Sequence, residues 1–219
     1  MTARIVAASQ DGAPGGGGVK SLRMPNAFRR SDFHVTDTVQ VSSPPAGGEA
    51  VLALYSETWP GAPLDTLTEA MHEFERLFTG KAPGYLGVDT VYHDLQHSQD
   101  VVLAMMRLMA GYERSHPEGH PIGPDRALMG LVTALFHDSG YIRESGESAI
   151  PNGAVFTRSH VTRSAKYLAK YLPGVGLGDW VPVSTRIVHF TGYEVPLDLI
   201  RVSGPPDRVI AHLLGTASM

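Results

Sequence analysis

Residues 124–141 read PDRALMGLVTALFHDSGY and carry an almost uninterrupted apolar helix pattern. The pattern predicts a helix from about Pro124 to Asp138 that stops at Gly140. Its apolar residues surround the helix axis on every side, which is typical of a buried helix; they are Ala127, Leu128, Met129, Leu131, Val132, Ala134, Leu135 and Phe136. The helix nevertheless ends in His137-Asp138, an imidazole and a carboxylate that both need partners when buried.

Two interpretations of His137 and Asp138 are open. A histidine is favoured at a helix C-terminus by the helix dipole, and the aspartate would then simply belong to the turn before Gly140. Alternatively, a shared metal ion satisfies both groups at once. Adjacent residues diverge by about 100° on a helix, so they can serve one site only near a helix end, where this pair lies.

The segment Tyr92-His-Asp-Leu-Gln-His-Ser-Gln-Asp-Val101 supplies two more histidines. Within a helix predicted over 89–113, His93, His97 and Asp100 fall within about 60° of one another, and the opposite face is largely apolar. This polar face is either solvated or a ligand-bearing face that points into the protein.

His160 lies in another predicted helix, over 157–172, beside an apolar stripe. Ser164 follows one turn later on the side of His160. The histidine is therefore either an ordinary boundary residue or a further member of the same polar site.

The remaining patterns complete an all-α prediction. A helix is expected to open at a capping box formed by Thr66 and Glu69 and to stop near Gly80, and shorter helices are expected over 181–190 and 205–215. Strand signals are sparse, so the fold class is all-α, a helical bundle.

Residues 1–48 differ from the rest of the chain. A Gly-rich run at 12–18 and a Pro/Gly cluster at 44–48 disfavour regular structure. We therefore expect a flexible or loosely docked N-terminal extension over 1–48, followed by a helical domain over 49–219.

Composition narrows the function. The 219 residues include 18 basic and 22 acidic side chains, a net charge of −4, which argues against binding to long nucleic acids. With no cysteine, thiolate metal sites and cysteine nucleophiles are excluded, so histidines are the main candidates for transition-metal chemistry. No apolar run reaches the roughly 20 residues that span a bilayer, and a cytoplasmic protein without a membrane partner is expected.

Together these motifs resemble a known family. Tyr92-His-Asp-x-x-His-x-x-Asp-Val101 is similar to the signature of class I cyclic nucleotide phosphodiesterases, which belong to the HD-domain superfamily of metal-dependent phosphohydrolases. Ala134-Leu-Phe-His-Asp-Ser-Gly-Tyr141 resembles the His-Asp element that defines this superfamily. The resemblance covers roughly residues 65–219 and implies an HD-domain helical bundle that hydrolyses phosphoesters.

The resemblance also implies residue roles. His97, His137 and Asp138 would ligate a divalent metal ion, with Asp138 bridging toward a second ion and His160 as a weaker candidate ligand. His93 would be the catalytic general acid that protonates the leaving oxygen, so His93 and Asp138 are the expected catalytic residues. Imidazole and carboxylate ligands suit one or two ions of Zn²⁺, Mn²⁺, Fe²⁺, Co²⁺ or, less well, Mg²⁺.

The sequence departs from the family near its end. The superfamily uses a late aspartate as a metal ligand, whereas Leu213-Leu-Gly-Thr-Ala-Ser-Met219 places Ser218 there. A serine hydroxyl is neutral and a poor ligand. We therefore expect a domain that is short at its C-terminus and either weakened in metal binding or completed by another group, for example from a partner chain in a homo-oligomer.

The substrate is expected to be a small phosphoester, nucleotide or cyclic nucleotide-like molecule, with Arg163 and Ser164 as weak candidates for its contacts. Two alternatives stay open. Ser218 favours a catalytically impaired HD domain that acts as a nucleotide-binding or interaction module. Some HD-type scaffolds hold two irons and act as oxygenases, which would require more histidine ligands, such as His160 and His189.

Overall fold

The computed structural model describes residues 44–119 and 121–219, with side chains from residue 47 onward, and these ranges fold into seven α-helices joined by turns and short 3₁₀ helices. The helices are α1 (Pro44–Thr58), α2 (Asp65–Phe78), α3 (Leu95–Ser115), α4 (Pro124–Leu135), α5 (His160–Tyr171), α6 (Val181–Ile187) and α7 (Pro205–Ala217). No strand forms within these ranges, where an isolated bridge joins Tyr85 and Glu144. The all-α prediction is confirmed. In the same ranges, no helix has the length and apolarity to cross a lipid bilayer.

Helix α4 is the buried centre of this arrangement. Every residue from Ala127 to Leu135 is buried, and α2, α3, α6 and α7 all contact the helix. Gly130 allows a close approach, because a Cβ there would lie 3.1 Å from Ile210 of α7 and 3.3 Å from Met105 of α3. The sequence prediction of a buried helix is therefore confirmed, and its C-terminal end is enclosed by protein.

The predicted start of α3 was wrong. The helix begins at Leu95 rather than near residue 89, because the Asp94 side chain accepts a hydrogen bond from the His97 backbone N–H at 2.8 Å and caps the first turn. His93 consequently precedes the helix, and the predicted helical relation between His93 and His97 does not exist. Both side chains still reach the same site.

Other boundaries also differ from prediction. Helix α4 ends at Leu135, so His137 and Asp138 lie in a turn that leads into a 3₁₀ helix at Ser139–Tyr141. Helix α2 begins at Asp65 without a side-chain cap, so the predicted capping box of Thr66 and Glu69 does not form.

Helix α1 was not predicted. It begins at Pro44, inside the expected extension over 1–48, because proline is tolerated in the first helical turn, where its missing N–H has no intrahelical acceptor. Residues 1–43, which hold most of the predicted extension, lie outside the described residues.

Gly140 fixes the distance between the His137-Asp138 turn and α5. A Cβ at this position would lie 1.8 Å from the His160 carbonyl oxygen, so no other residue fits without displacing the start of α5. The Gly140 N–H donates to Ser164 Oγ at 2.8 Å, and its carbonyl accepts from Arg163 Nε at 2.8 Å.

Gly140→Ala is therefore expected to destabilise the protein by about 2 kcal/mol or more, since overpacking against backbone cannot relax by a side-chain rotation. Gly146→Ala is the matched control, because nothing lies within 4 Å of a Cβ there. Urea denaturation measures both. Equal stabilities of the two variants would contradict the packing argument.

Candidate metal centre

The Asp138 carboxylate lies at the centre of four histidine side chains. Its Oδ2 is 2.8 Å from His93 Nδ1, 3.2 Å from His137 Nε2 and 3.4 Å from His97 Nε2. Its Oδ1 is 3.8 Å from His160 Nε2. All five residues that the sequence analysis assigned to catalysis or metal binding therefore meet in one place, and Asp138 itself is only 2% exposed.

These residues come from segments far apart in the chain. His93 precedes α3 and His97 lies in its first turn, while His137 and Asp138 occupy the turn after α4 and His160 is the first residue of α5. Because each one lies at or beside a helix end, their side chains converge without lying along one helix face.

Two of the histidines are oriented by backbone carbonyls. His137 Nδ1 lies 2.7 Å from the Ala134 oxygen, and His160 Nδ1 lies 2.9 Å from the Thr157 oxygen. A carbonyl can only accept a hydrogen bond, so Nδ1 carries the proton in both rings. In the neutral tautomer, Nε2 of each ring then presents a lone pair toward Asp138. Histidines that bind metal ions are commonly oriented in this way.

In this arrangement two hydrogen-bond acceptors, an imidazole nitrogen and a carboxylate oxygen, face each other. The lone pair of neutral His137 Nε2 would face the negatively charged Asp138 Oδ2 across 3.2 Å, which is repulsive unless a cation lies at the contact. The cation can be a proton on Nε2 or a metal ion. The donor set, imidazole nitrogen and carboxylate oxygen, is one that divalent transition metals accept.

The pKa shifts of His137 and Asp138 describe the case in which the cation is a proton. Burial alone would lower the pKa of His137, but the adjacent Asp138 carboxylate raises it above the usual histidine value of 6.5. Burial alone would raise the pKa of Asp138, but charge and hydrogen bonds from His137, His93 and His97 hold it well below the usual aspartate range. Burial lowers the pKa of His160, so this ring favours its neutral, ligand-competent form.

The tightest candidate ligand set differs from the predicted one. One ligand atom each from His93, His97 and Asp138 lies within 4.8 Å of the others, which is close enough for one ion to bind all three. The resemblance had placed His137 in that set and His93 outside it. His93 is also the most exposed of the four histidines, with 31% of its side chain accessible.

Tyr141 belongs to the site and was missed. Its ring lies nearly parallel to those of His93 and His160, with centroids 4.4 and 4.3 Å away and interplanar angles of 18° and 20°. The two histidine centroids are themselves 6.0 Å apart, so the three rings form one cluster. Burial raises the pKa of its phenol. Its place at the end of the His-Asp motif was visible in the sequence, but the 3₁₀ helix Ser139–Tyr141 that directs its ring toward His93 and His160 was not.

Glu194 was missed as well. Its carboxylate caps α5 by accepting from the Val161 N–H at 2.6 Å and the Thr162 N–H at 3.0 Å, and its Oε1 lies 3.8 Å from His160 Nδ1. A cap that is more than 30 residues away in sequence leaves no local signal. These hydrogen bonds fix the start of α5 relative to the loop in which Glu194 lies.

Arg163 and Ser164, the weak candidates for substrate contact, are engaged within the protein. Arg163 binds the Gly140 and Ile142 carbonyls and pairs with both carboxylate oxygens of Glu147 at 2.8 and 2.9 Å. Ser164 is fully buried and accepts from Gly140. Both residues support the Ser139–Tyr141 turn.

Ser218 and His189 lie near the site but differ in their surroundings. Ser218 donates to the Gly215 carbonyl at 3.2 Å and lines a cavity of about 640 Å³ together with His93. His189 Nδ1 is buried and has no hydrogen-bond partner among the residues that the structure describes, and burial lowers the pKa of this ring. Among the described residues, Asp138 forms ion-pair contacts with His93, His97, His137 and His160.

Comparison with protein-family models, curated proteins and solved structures finds no match to this chain.

Metal-free protein is expected to lose stability as the pH rises above about 6.5. The pKa of His137 is higher in the folded than in the unfolded protein. Its contribution to the free energy of unfolding is therefore complete below the pKa of the unfolded state and is lost as the pH rises through the pKa of the folded state. Urea denaturation of chelator-treated protein at about pH 6 and about pH 9 measures the loss.

Asp138→Asn is the matched variant for this measurement, because it removes the charge that raises the pKa of His137 while keeping the side-chain shape. We expect it to flatten the alkaline part of the profile. An alkaline loss of the same size in the variant would show that another group causes it.

Proposed function

We propose that this protein is a metal-dependent phosphohydrolase of the HD type that hydrolyses a small phosphoester. The observation that carries the proposal is the contact between His137 Nε2 and Asp138 Oδ2, two acceptors 3.2 Å apart that need a cation between them. The resemblance of the motifs at 92–101 and 134–141 to those of the HD-domain superfamily supports the same function.

Following the resemblance, we assign the divalent ion to His97, His137 and Asp138, with His160 on the other carboxylate oxygen. His93, whose ring also lies within reach of His97 and Asp138, is assigned to proton transfer. The buried set fits the ion chemically, because two backbone carbonyls already fix the tautomers of His137 and His160. When bound, the ion would polarise a phosphoryl oxygen and make water more acidic.

His93 is suited to proton transfer. Its Nδ1 donates to Asp138 Oδ2 at 2.8 Å, and its ring lines the 640 Å³ cavity where a leaving group would lie. A histidine there can protonate the leaving oxygen near neutral pH. Tyr141, stacked on His93, restricts the orientation of that ring.

His137→Ala and Asp138→Ala are each expected to remove the bound divalent ion and to lower turnover of a phosphoester by at least about 100-fold. Loss of outer-shell partners alone typically costs 10- to 100-fold, and these residues would be direct ligands. Elemental analysis after reconstitution with Mn²⁺, Zn²⁺ or Fe²⁺, together with phosphate release from a panel of phosphoesters, measures both effects.

His72→Ala is the control, because His72 is exposed on α2. Metal binding without phosphate release but with nucleotide binding would favour the impaired, ligand-binding alternative. Two irons with an oxygen-dependent reaction would favour the oxygenase. No metal in the native protein after reconstitution would overturn the proposal.

His93→Ala separates proton transfer from metal binding. We expect metal content to be retained while kcat falls by about 10²- to 10⁴-fold, the usual contribution of a general acid. A leaving group that needs little protonation, such as p-nitrophenolate, should be affected less than an alkoxide. Loss of the metal in this variant would instead assign His93 as a ligand, as its short contacts also permit.

A further inference from the structure

The cavity beside His93 is lined mainly by uncharged and apolar groups. Its walls include Phe190, Tyr193, Val195, Leu197 and Met219. Among its lining residues in the described chain there is no lysine, arginine, aspartate or glutamate, and besides His93 the other imidazole is that of His212. Its volume of about 640 Å³ is in the range of small-molecule sites and can hold one or two rings.

Three basic side chains of α5 line a different cavity. Arg163, Lys166 and Lys170 line a smaller one of about 290 Å³ on the side of Ser139 and Gly140. His93 is absent from the lining of that smaller cavity. Among the described lining residues, a second phosphate on the substrate would therefore meet no lysine or arginine in the cavity next to His93.

The wall of the large cavity is held in place. Glu194, between Tyr193 and Val195, is fixed to the first turn of α5 by the hydrogen bonds that cap the helix. Gly192 packs so closely that a Cβ would lie 2.6 Å from Val161 Cγ2. The neighbouring residues thus present exposed apolar side chains on an anchored loop, with Leu197 59% exposed.

From this we propose that the cavity binds the organic part of the substrate, and that this part is an uncharged aromatic or other apolar group joined to a single phosphate. The inference rests on the proposed function, which places the phosphate at Asp138 and the histidines around it. Burial of apolar surface would favour such a group, whereas the extra phosphates of a polyphosphate would find no lysine or arginine among the described lining residues.

The first test compares benzyl phosphate with glycerol phosphate, both of which release an alkoxide, and with ATP as substrates of the metal-loaded protein. We expect kcat/KM for benzyl phosphate to exceed that for the other two by about 10-fold or more, the size of effect that a modest apolar contact gives. Equal use of the three, or preference for ATP, would overturn the inference while leaving the proposed function intact.

Leu197→Ala and Leu199→Ala form a matched pair. Both leucines lie in the 3₁₀ helix Leu197–Leu199 and are 59% and 58% exposed, but only Leu197 is among the lining residues. We expect Leu197→Ala to raise KM for 1-naphthyl phosphate by about 3- to 10-fold and Leu199→Ala to change it less than about 2-fold. Equal effects of the two variants would contradict the inference.

Binding keeps the inference testable if no phosphoester is hydrolysed. Titration with 1-naphthol, followed by its fluorescence, probes the cavity without phosphate or metal. Binding that is weakened by Leu197→Ala and not by Leu199→Ala would support the cavity assignment even though the proposed function had failed. No binding to the native protein would overturn it.

Discussion

A buried carboxylate surrounded by ring nitrogens is the constraint on which the site depends. Asp138 is only 2% exposed and has His93, His137 and His97 within 3.4 Å of one oxygen. In the protein interior, such a charge is stable only when positive charge or donated hydrogen bonds surround it. The orientation of the histidines, the turn that holds Asp138 and the close packing at Gly140 all serve that requirement.

A few close packing contacts and hydrogen bonds hold the turn that carries the Asp138 carboxylate in place. Gly140 allows the His137-Asp138 turn to pack against the start of α5. Arg163 of α5 donates hydrogen bonds to the Gly140 carbonyl and to the Glu147 carboxylate. Glu194 caps α5 from the loop that also forms the cavity wall. The candidate metal centre and the cavity beside it are therefore connected through one helix end.

Much of this was accessible from sequence, for identifiable reasons. The apolar pattern of α4 predicted a buried helix leading into His137-Asp138, and a shared metal ion was one of two interpretations of that pair. The helix itself ends earlier, at Leu135. The side chains of His93, His97 and His160 meet there as the resemblance implied, although His93 does so from a loop. The Asp94 cap shifted the start of α3, and α1 was obscured by prolines that a first turn tolerates.

Residues whose contribution depends on tertiary contact could not be predicted. Tyr141 reaches its position through a 3₁₀ turn that has no periodic signal, and Glu194 caps a helix across a long sequence separation. Arg163 and Ser164 were noticed for their chemistry, but only the packing showed that they bind the turn instead of facing a ligand.

The chain positions of the site residues have a consequence for the unfolded protein. His97 and His137 are 40 residues apart and His160 follows 23 residues later, in a chain without cysteine. An ion held by these side chains would act as a cross-link, closing two loops whose conformational freedom the unfolded state otherwise keeps. It would thus take the part that a pair of disulfides plays in secreted domains, with the difference that pH and chelators can undo it.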